Sequence, residues 1–452
     1  MRVTFLGATG TVTGSRYLIE HDRTCILIDC GLFQGNPELR QRNWQAAPFN
    51  PAALDAILLT HAHIDHSGAI PRLVRDGFKG PIYCSEATAD LCAILLPDSG
   101  RIQEDDAETA NRYGYSRHAP ALPLYTEADA HIALEQFRPV GLGTPHDLSP
   151  ELSFTLSRAG HILGASFIDL RSGDGTSILF TGDIGRPNSP VMKAPAQLQG
   201  ADYIVLESTY GDRRHGEKDP SDQIGDVIRR TAARGGTVVV PAFAVGRTQD
   251  LLFHLYTLKQ AGRIPDLPVF LDSPMAINAT ELLLRHKNEH RLSPQKCAAV
   301  CAIARYARTV DESKAINASP IPKVIISASG MATGGRVLHH LKAYVGDPRN
   351  AVLLAGYQAP GTRGDRLARG ESSLRIHGRD WPVRAEIAQL DTMSAHADYA
   401  EILDWLKNFR SPPRKVFITH GEPKAAEAMR QHITEMFGWE ATVPIFAHHE
   451  VL

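Results

Sequence analysis

The stretch that most constrains this chain is Thr60-His61-Ala62-His63-Ile64-Asp65-His66, with four metal-ligating side chains packed into six residues. The aliphatic run LDAILLT delivers the chain to it and reads as a strand. Extended backbone alternates its side chains, so His61 and His63 fall on one side. Asp65 and His66 lie in the turn that opens the next helix and can aim at a neighbouring point. Imidazole and carboxylate are the donors of hydrolytic zinc sites, and this density suits two cations a few ångströms apart. The bland reading is a polar turn with chance histidines.

Two cations need more ligands than one turn supplies. Among the 20 histidines, His161 in SRAGHILGAS follows a strand and His420 in KVFITHGE ends one. Asp183 in LFTGDIGR ends another. Each alone reads more readily as a turn or cap residue. Together they supply what two partly filled ligand sets lack.

The organisation is that of a strand-rich domain interrupted by an insertion. Residues 1–208 carry short β-branched and aliphatic runs (TCILIDC, LDAILLT, GPIYCS, LSFTLS, SFIDLRS, TSILFTGD, DYIVLES), with a long helix expected over Ala87–Gln103. Over residues 209–358 strands and helices alternate, the pattern of a parallel α/β sheet. Residues 359–452 return to the earlier style. There, Ile402, Trp405, Leu406 and Phe409 mark one buried helix face, and Asp398 with Glu401 forms its N-terminal cap.

Composition narrows the classes. Hydrophobic residues at 43% and charged residues at 22% describe a globular chain rather than a disordered one. No apolar run reaches the roughly 18 residues of a membrane span. Six cysteines without a CxxC pair give no disulfide framework, so reduced thiols and a cytoplasmic location are expected. Cys297 and Cys301 share a helix face and read as core packing. The net charge of −2 does not call for a nucleic acid, yet Gly211–Val310 carries 15 basic against 10 acidic residues.

HAHIDH, with His161, Asp183 and His420 at strand ends and Asp29 in ILIDCG, resembles the metallo-β-lactamase superfamily. The resemblance implies an α/β fold, the αββα sandwich, and two zinc ions per chain. One takes His61, His63 and His161; the other takes Asp65, His66 and His420. Asp183 then bridges them with a hydroxide as nucleophile, and Asp29 supports the ligands from behind. Glu207 in VLESTYGDRRH and His396 in TMSAHADYAE are similar to the extra motifs of the β-CASP nucleases. There the histidine assists the leaving oxygen and the acid holds it, so Asp65, Asp183, Glu207 and His396 are the implied catalytic residues. The insertion stands where the β-CASP cap stands, and a cap over the site is expected to form a cleft for RNA.

Position 420 is His, as in the RNA-cutting members; DNA-repair members typically carry Val. The chain most resembles bacterial and archaeal relatives of the pre-mRNA 3′-end endonuclease. It is expected to lack a KH-like N-terminal extension and the C-terminal domain of the RNase J type. Phosphate contacts are expected at the glycine-rich turn of VIISASGMATGGRVLHHL (Ser329, Gly330, Thr333, Gly334), at Arg247, and at Arg363, Arg366 and Arg369. GTRGDRLARG departs from the pattern, with Arg363 and Asp365 where many relatives read Leu and Arg.

The expected protein is a zinc-dependent ribonuclease of RNA processing or degradation. It cuts single-stranded RNA to 5′-phosphate and 3′-hydroxyl ends and acts away from membranes. A homodimer is common among similar proteins. Two alternatives stand beside this reading: a hydrolase of single-stranded DNA or a small ester or thioester, and a non-catalytic RNA-processing scaffold. The filled ligand positions speak against the scaffold.

Overall fold

The computed structural model describes every residue except Tyr115, Arg117, Tyr357, Pro360 and Asp391. It divides into two compact units. The first comprises Met1–Asn188, Ala194–Arg214 and His396–Leu452; the second comprises Ser189–Lys193 and His215–Ala395.

Among the described residues the first unit contains two seven-stranded sheets. The first sheet runs His449–Val451, Arg2–Phe5, Tyr17–His21, Thr24–Ile28, Ala56–Leu58, Ile82–Cys84, Phe137–Pro139. The second runs Ala441–Thr442, Lys415–Thr419, Tyr203–Glu207, Ser177–Phe180, Ser166–Ser172, Leu152–Arg158, Pro145–Ser149. Alternation turns one face of each sheet inward. Val3, Phe5, Ile19, Ile26 and Ile28 of the first meet Phe154, Ile168, Leu170, Phe180 and Phe417 of the second in one buried cluster. Phe5 and Phe417 stand 5.1 Å apart across it. Each fully buried side chain of this size stabilises the sandwich by about 1.5–3 kcal/mol.

Helices close the outer faces. Pro423–Phe437 packs on Lys415–Thr419, and Glu86–Tyr113 packs on Phe137–Pro139 and on the helix Glu127–Leu134. The result is the four-layered αββα sandwich. The helix expected to end at Gln103 continues to Tyr113. Its extra turns are solvated and carry the Arg101–Asp105 and Arg112–Glu108 pairs at i,i+4 spacing.

The topology sends the ligand-bearing loops to one rim. Ser177–Phe180, Tyr203–Glu207 and Lys415–Thr419 are parallel neighbours, with Phe180 opposite Val205 and Glu207 opposite Thr419. In the other sheet Thr24–Ile28 and Ala56–Leu58 are parallel, with Ile28 opposite Leu58. Residues 29, 59–66, 181–183, 207–208 and 420 therefore all lie at the carboxyl ends of parallel strands, where α/β sheets place their ligands.

The second unit is built on a parallel sheet of six strands among the described residues, ordered Ala304–Tyr306, Val269–Leu271, Val324–Ser327, Val238–Pro241, Ala351–Leu354, Glu386–Gln389. Both faces are covered: Val238 and Val240 join one apolar cluster, Val239 and Val352 the other. This unit extends beyond the expected limit at residue 358, and the return to the first unit comes at His396 rather than at 359. The physical reason is sheet completion. Glu386–Gln389 adds a sixth strand beside Ala351–Leu354, and Leu367, Leu374 and Ile376 pack into the second cluster. No described helix is long and apolar enough to cross a membrane.

Candidate metal centre

His61 lies just past Ala56–Leu58, His63 is the N-cap of the short helix Ile64–Ser67, and Asp65 and His66 lie within that helix. His161 follows Leu152–Arg158, Asp183 follows Ser177–Phe180, and His420 follows Lys415–Thr419. The structure brings all seven side chains to one rim of the first unit. The approach is close enough to demand glycine at 182. A Cβ there would stand 2.7 Å from that of Thr60, and the backbone has φ +49°. Asp29 and His420 adopt left-handed backbone at φ 57° and 48°, an unfavourable conformation for residues with a Cβ. Other left-handed residues, such as Asp22 and His377, stand elsewhere; at Asp29 and His420 the strain falls on the loops that carry the ligands and their support.

The donor atoms form two groups. Four edges connect His61 Nε2, His63 Nδ1, His161 Nε2 and Asp183 Oδ2: 3.2 Å for His61–His63, 3.3 Å for His63–His161, 3.3 Å for His61–Asp183 and 3.4 Å for His161–Asp183. Ligands on a tetrahedral ion with bonds of about 2.05 Å are about 3.3 Å apart. In the second group His66 Nε2 lies 3.1 Å from His420 Nε2 and 3.3 Å from Asp183 Oδ1, and His420 Nε2 lies 3.4 Å from Asp65 Oδ2. Asp183 thus turns one oxygen to each group. Among the described residues its buried Oδ1 has no hydrogen-bond partner. Converging, unsatisfied donors of this kind fit cations rather than protons.

Protonation agrees. Burial, then the neighbouring His66, lowers the pKa of His61, and burial, then His61, takes that of His63 down to about 3. Burial, then His396, lowers that of His161. Burial would raise Asp183, but the imidazoles around it hold its carboxyl well below the usual range. Neutral imidazoles and an ionised carboxylate are what a metal requires. His66 is the exception. Burial opposes its charge, yet Asp183 and Asp29 outweigh that and keep its pKa high until a cation replaces the proton.

Behind the ligands runs a set of hydrogen bonds that fixes their tautomers. His66 Nδ1–H donates to Asp29 Oδ2 at 2.7 Å, and the Thr60 N–H donates to Asp29 Oδ1 at 2.8 Å. His61 Nδ1–H donates to Thr60 Oγ1 at 3.1 Å. His420 Nδ1–H donates to Thr209 Oγ1 at 3.1 Å, and that hydroxyl donates to Glu207 Oε2 at 2.6 Å. Sequence reasoning missed Thr60 and Thr209. The signal was a threonine abutting each motif, in THAHIDH and ESTYG. Thr209→Val is expected to weaken metal binding about 10–100-fold, read by competition against a chelator of known affinity, with the fold retained.

His396 stands beside this centre through an isolated bridge to Gly185, anchored by Ala397 N–H donating to Ile184 O at 2.8 Å. Its Nδ1 is 3.0 Å from Glu207 Oε2 and 3.9 Å from Asp183 Oδ2. Burial disfavours its charge, but Glu207 and then Asp183 raise its pKa to about 9. With its side chain 20% exposed, it is more open than the nearly enclosed His61, His66 and His161. The cap expected at Asp398 is present as a full capping box with Glu401.

The expected phosphate contacts lie in the second unit. Ser329 Oγ and Thr333 Oγ1 bond each other at 2.9 Å, and a Cβ at Gly330 would meet Phe243 at 2.9 Å. Gly334 has open space at its Cα, and Arg247 lies against Gly356. Arg363 is engaged locally. Its guanidinium donates to the carbonyls of Thr333 at 3.0 Å, Ala332 at 3.3 Å and Arg375 at 2.8 Å, bracing the turn from within. Arg366 pairs with Glu371 and Arg369 with Asp365, so these two also serve local ion pairs.

Three family descriptions match the chain: the metallo-beta-lactamase superfamily over residues 9–215, the Beta-Casp domain over 248–367, and the Zn-dependent metallo-hydrolase RNA specificity domain over 380–444. Ribonuclease TTHA0252 of Thermus thermophilus is 36% identical over 437 residues, covering 95% of each chain. Transcription termination factor FttA of Methanosarcina mazei is 32% identical, covering 94% of this chain and 67% of its own. FttA of Methanocaldococcus jannaschii is 30% identical, with 98% and 70% covered. A crystal structure of a protein of unknown function from Enterococcus faecalis V583 shares the fold at TM-score 0.56 and 14% identity, over 100% of this chain and 99% of its own.

Proposed function

The chain belongs to the metallo-β-lactamase superfamily, in its β-CASP branch, and from that membership we propose that it is a two-zinc ribonuclease cutting single-stranded RNA. Membership makes it a metal-dependent hydrolase of RNA processing. The observation that carries the finer reading is Asp183, one carboxylate facing two groups of ligands at 3.3–3.4 Å.

His61, His63 and His161 would hold one ion, Asp65, His66 and His420 the other, with Asp183 shared. Zinc bound there would supply a water acidified to near-neutral pKa and neutralise charge on the phosphoryl oxygens. The protein's own residues do the rest. Asp29, Thr60 and Thr209 hold the imidazole rings in the tautomer that leaves the inward nitrogen free. Glu207 accepts a hydrogen bond from His396 Nδ1–H and keeps that ring charged and oriented. His396 then donates a proton to the departing 3′ oxygen, leaving a 5′-phosphate on the other product. Arg247 and the Ser329–Gly334 turn are proposed to grip RNA phosphates, which positions the strand without reading its bases.

Side-by-side rates on single-stranded RNA, single-stranded DNA and a thioester test the substrate. RNA is expected to be cut fastest, with 5′-phosphate ends on mapped products. Faster turnover of DNA or the thioester would overturn the assignment. A homodimer and a cytoplasmic location are part of the same proposal.

A further inference from the structure

At the carboxyl end of the parallel sheet in the second unit stands an exposed ring that the proposed phosphate contacts leave unused. Val238–Pro241 and Val324–Ser327 run side by side with Pro241 opposite Ser327, so the chain leaves both strands at the same edge. One exit passes through Ala242, whose N–H donates to Ser327 O at 3.1 Å, and reaches Phe243. The other enters the turn that carries Ser329, Gly330 and Thr333. Thr248 pins Phe243 from the following helix: its N–H and its hydroxyl both donate to Phe243 O, at 3.2 and 2.8 Å. One edge of the ring rests on Gly330, where a Cβ would stand 2.9 Å from Phe243 Cδ2 and 3.1 Å from Cε2. Gln358 fixes Gly330 in turn, its Nε2 donating to the carbonyls of Gly330 at 3.2 Å and Gly356 at 3.1 Å. Phe243 is 40% exposed, and among the described residues its ring meets no other ring and no cation.

An exposed ring scattered among polar residues needs no explanation by itself. This one is held by its backbone and shares a sheet edge with the hydroxyls of Ser329 and Thr333 and with Arg247, which lies against Gly356. Ligands of parallel sheets bind at that edge. A flat apolar group beside phosphate-gripping groups is the complement of a nucleotide in a single strand, whose bases are free to leave the stack. We propose that Phe243 stacks on one base of the bound RNA while the turn and Arg247 hold phosphate of the same strand; the identity of that strand as RNA rests on the ribonuclease reading. Every base has a π face, so the ring adds affinity at one position of the strand without adding a base code.

The test uses the metal-loaded full chain and a short labelled single-stranded RNA, compared with the same strand carrying one abasic ribose at each position in turn. Affinity is read by fluorescence anisotropy on rapid mixing, and KM and kcat by cleavage. In the parent chain one abasic position is expected to weaken binding and raise KM about 5–100-fold, the worth of one stacked base. Phe243→Ala is expected to raise KM for the intact strand by a similar factor with kcat changed less than about twofold. In that variant the penalty at the same abasic position disappears, and Phe243→Trp restores it. Should Phe243→Ala lose its fold, Phe243→Leu, which keeps the bulk and lacks the π face, is expected to show the same pattern. A parent chain with no position-specific penalty overturns the inference, as does a penalty that persists undiminished in the variants. Dissociation of a dimer as the sole effect of the variants also overturns it and makes the ring a subunit contact. Base-dependent binding through Phe243 in a chain that fails to cut RNA would leave this inference standing and remove the ribonuclease reading. Cleavage of RNA without a base contact at Phe243 would do the reverse, and a chain that neither binds nor cuts RNA would remove both.

Discussion

Asp183→Ala protein is expected to cut single-stranded RNA at least about a thousandfold more slowly than the parent chain and to carry fewer than two zinc ions. Among the described residues Asp183 is the one side chain that faces both ligand groups, with Oδ2 at 3.3 Å from His61 and Oδ1 at 3.3 Å from His66. Its loss leaves neutral imidazoles on one side and a single carboxylate, Asp65, on the other. Positive charge then accumulates without the shared anion that offsets it, and the two ions repel each other across a buried site. Initial rates and elemental analysis on the same preparation check both halves. Full zinc content with full activity would remove Asp183 from the site.

His396→Ala separates chemistry from metal binding. The variant is expected to lose about 10²–10⁴ in rate on RNA while its zinc content stays near two per chain. The histidine turns its Nδ1 to Glu207 at 3.0 Å, and it belongs to neither group of converging ligand atoms. A proton donor matters only when the leaving oxygen is basic. On a nitrophenyl phosphodiester, whose leaving group departs without a proton, the loss should shrink to a small factor. An equal loss on both substrates would assign His396 to positioning instead, and a fall in zinc would place it among the ligands.

The site was more legible in the sequence than the boundaries were. HAHIDH concentrates ligands in a few residues, and strand-end His161, Asp183 and His420 follow aliphatic runs that periodicity reveals. Convergence itself is a tertiary fact: only the parallel pairing of Tyr203–Glu207 with Lys415–Thr419 brings His420 beside Glu207. Thr209 escaped notice because a hydroxyl fixing a tautomer leaves no periodic signal. The second unit overran its expected end because Glu386–Gln389 is a short, partly exposed strand, recognisable only from the edge it completes. The local bonds of Arg363 were hidden for a related reason. Backbone carbonyls that cation side chains satisfy are invisible in a sequence, so the bracing bonds of an arginine near a glycine-rich turn cannot be read there.

The fold explains why so few residues carry the function. Two sheets packed through Phe5, Phe154, Phe180 and Phe417 make a rigid frame, and the strained positions at Asp29 and His420 are affordable only on such a frame.

The most direct test is a metal titration of the purified, chelator-stripped chain, with cleavage of end-labelled RNA followed at each step. Activity should be absent without metal and should plateau at two zinc equivalents per chain. Undiminished cleavage by protein carrying less than one ion, or an activity plateau at a single equivalent in the parent chain, would contradict it.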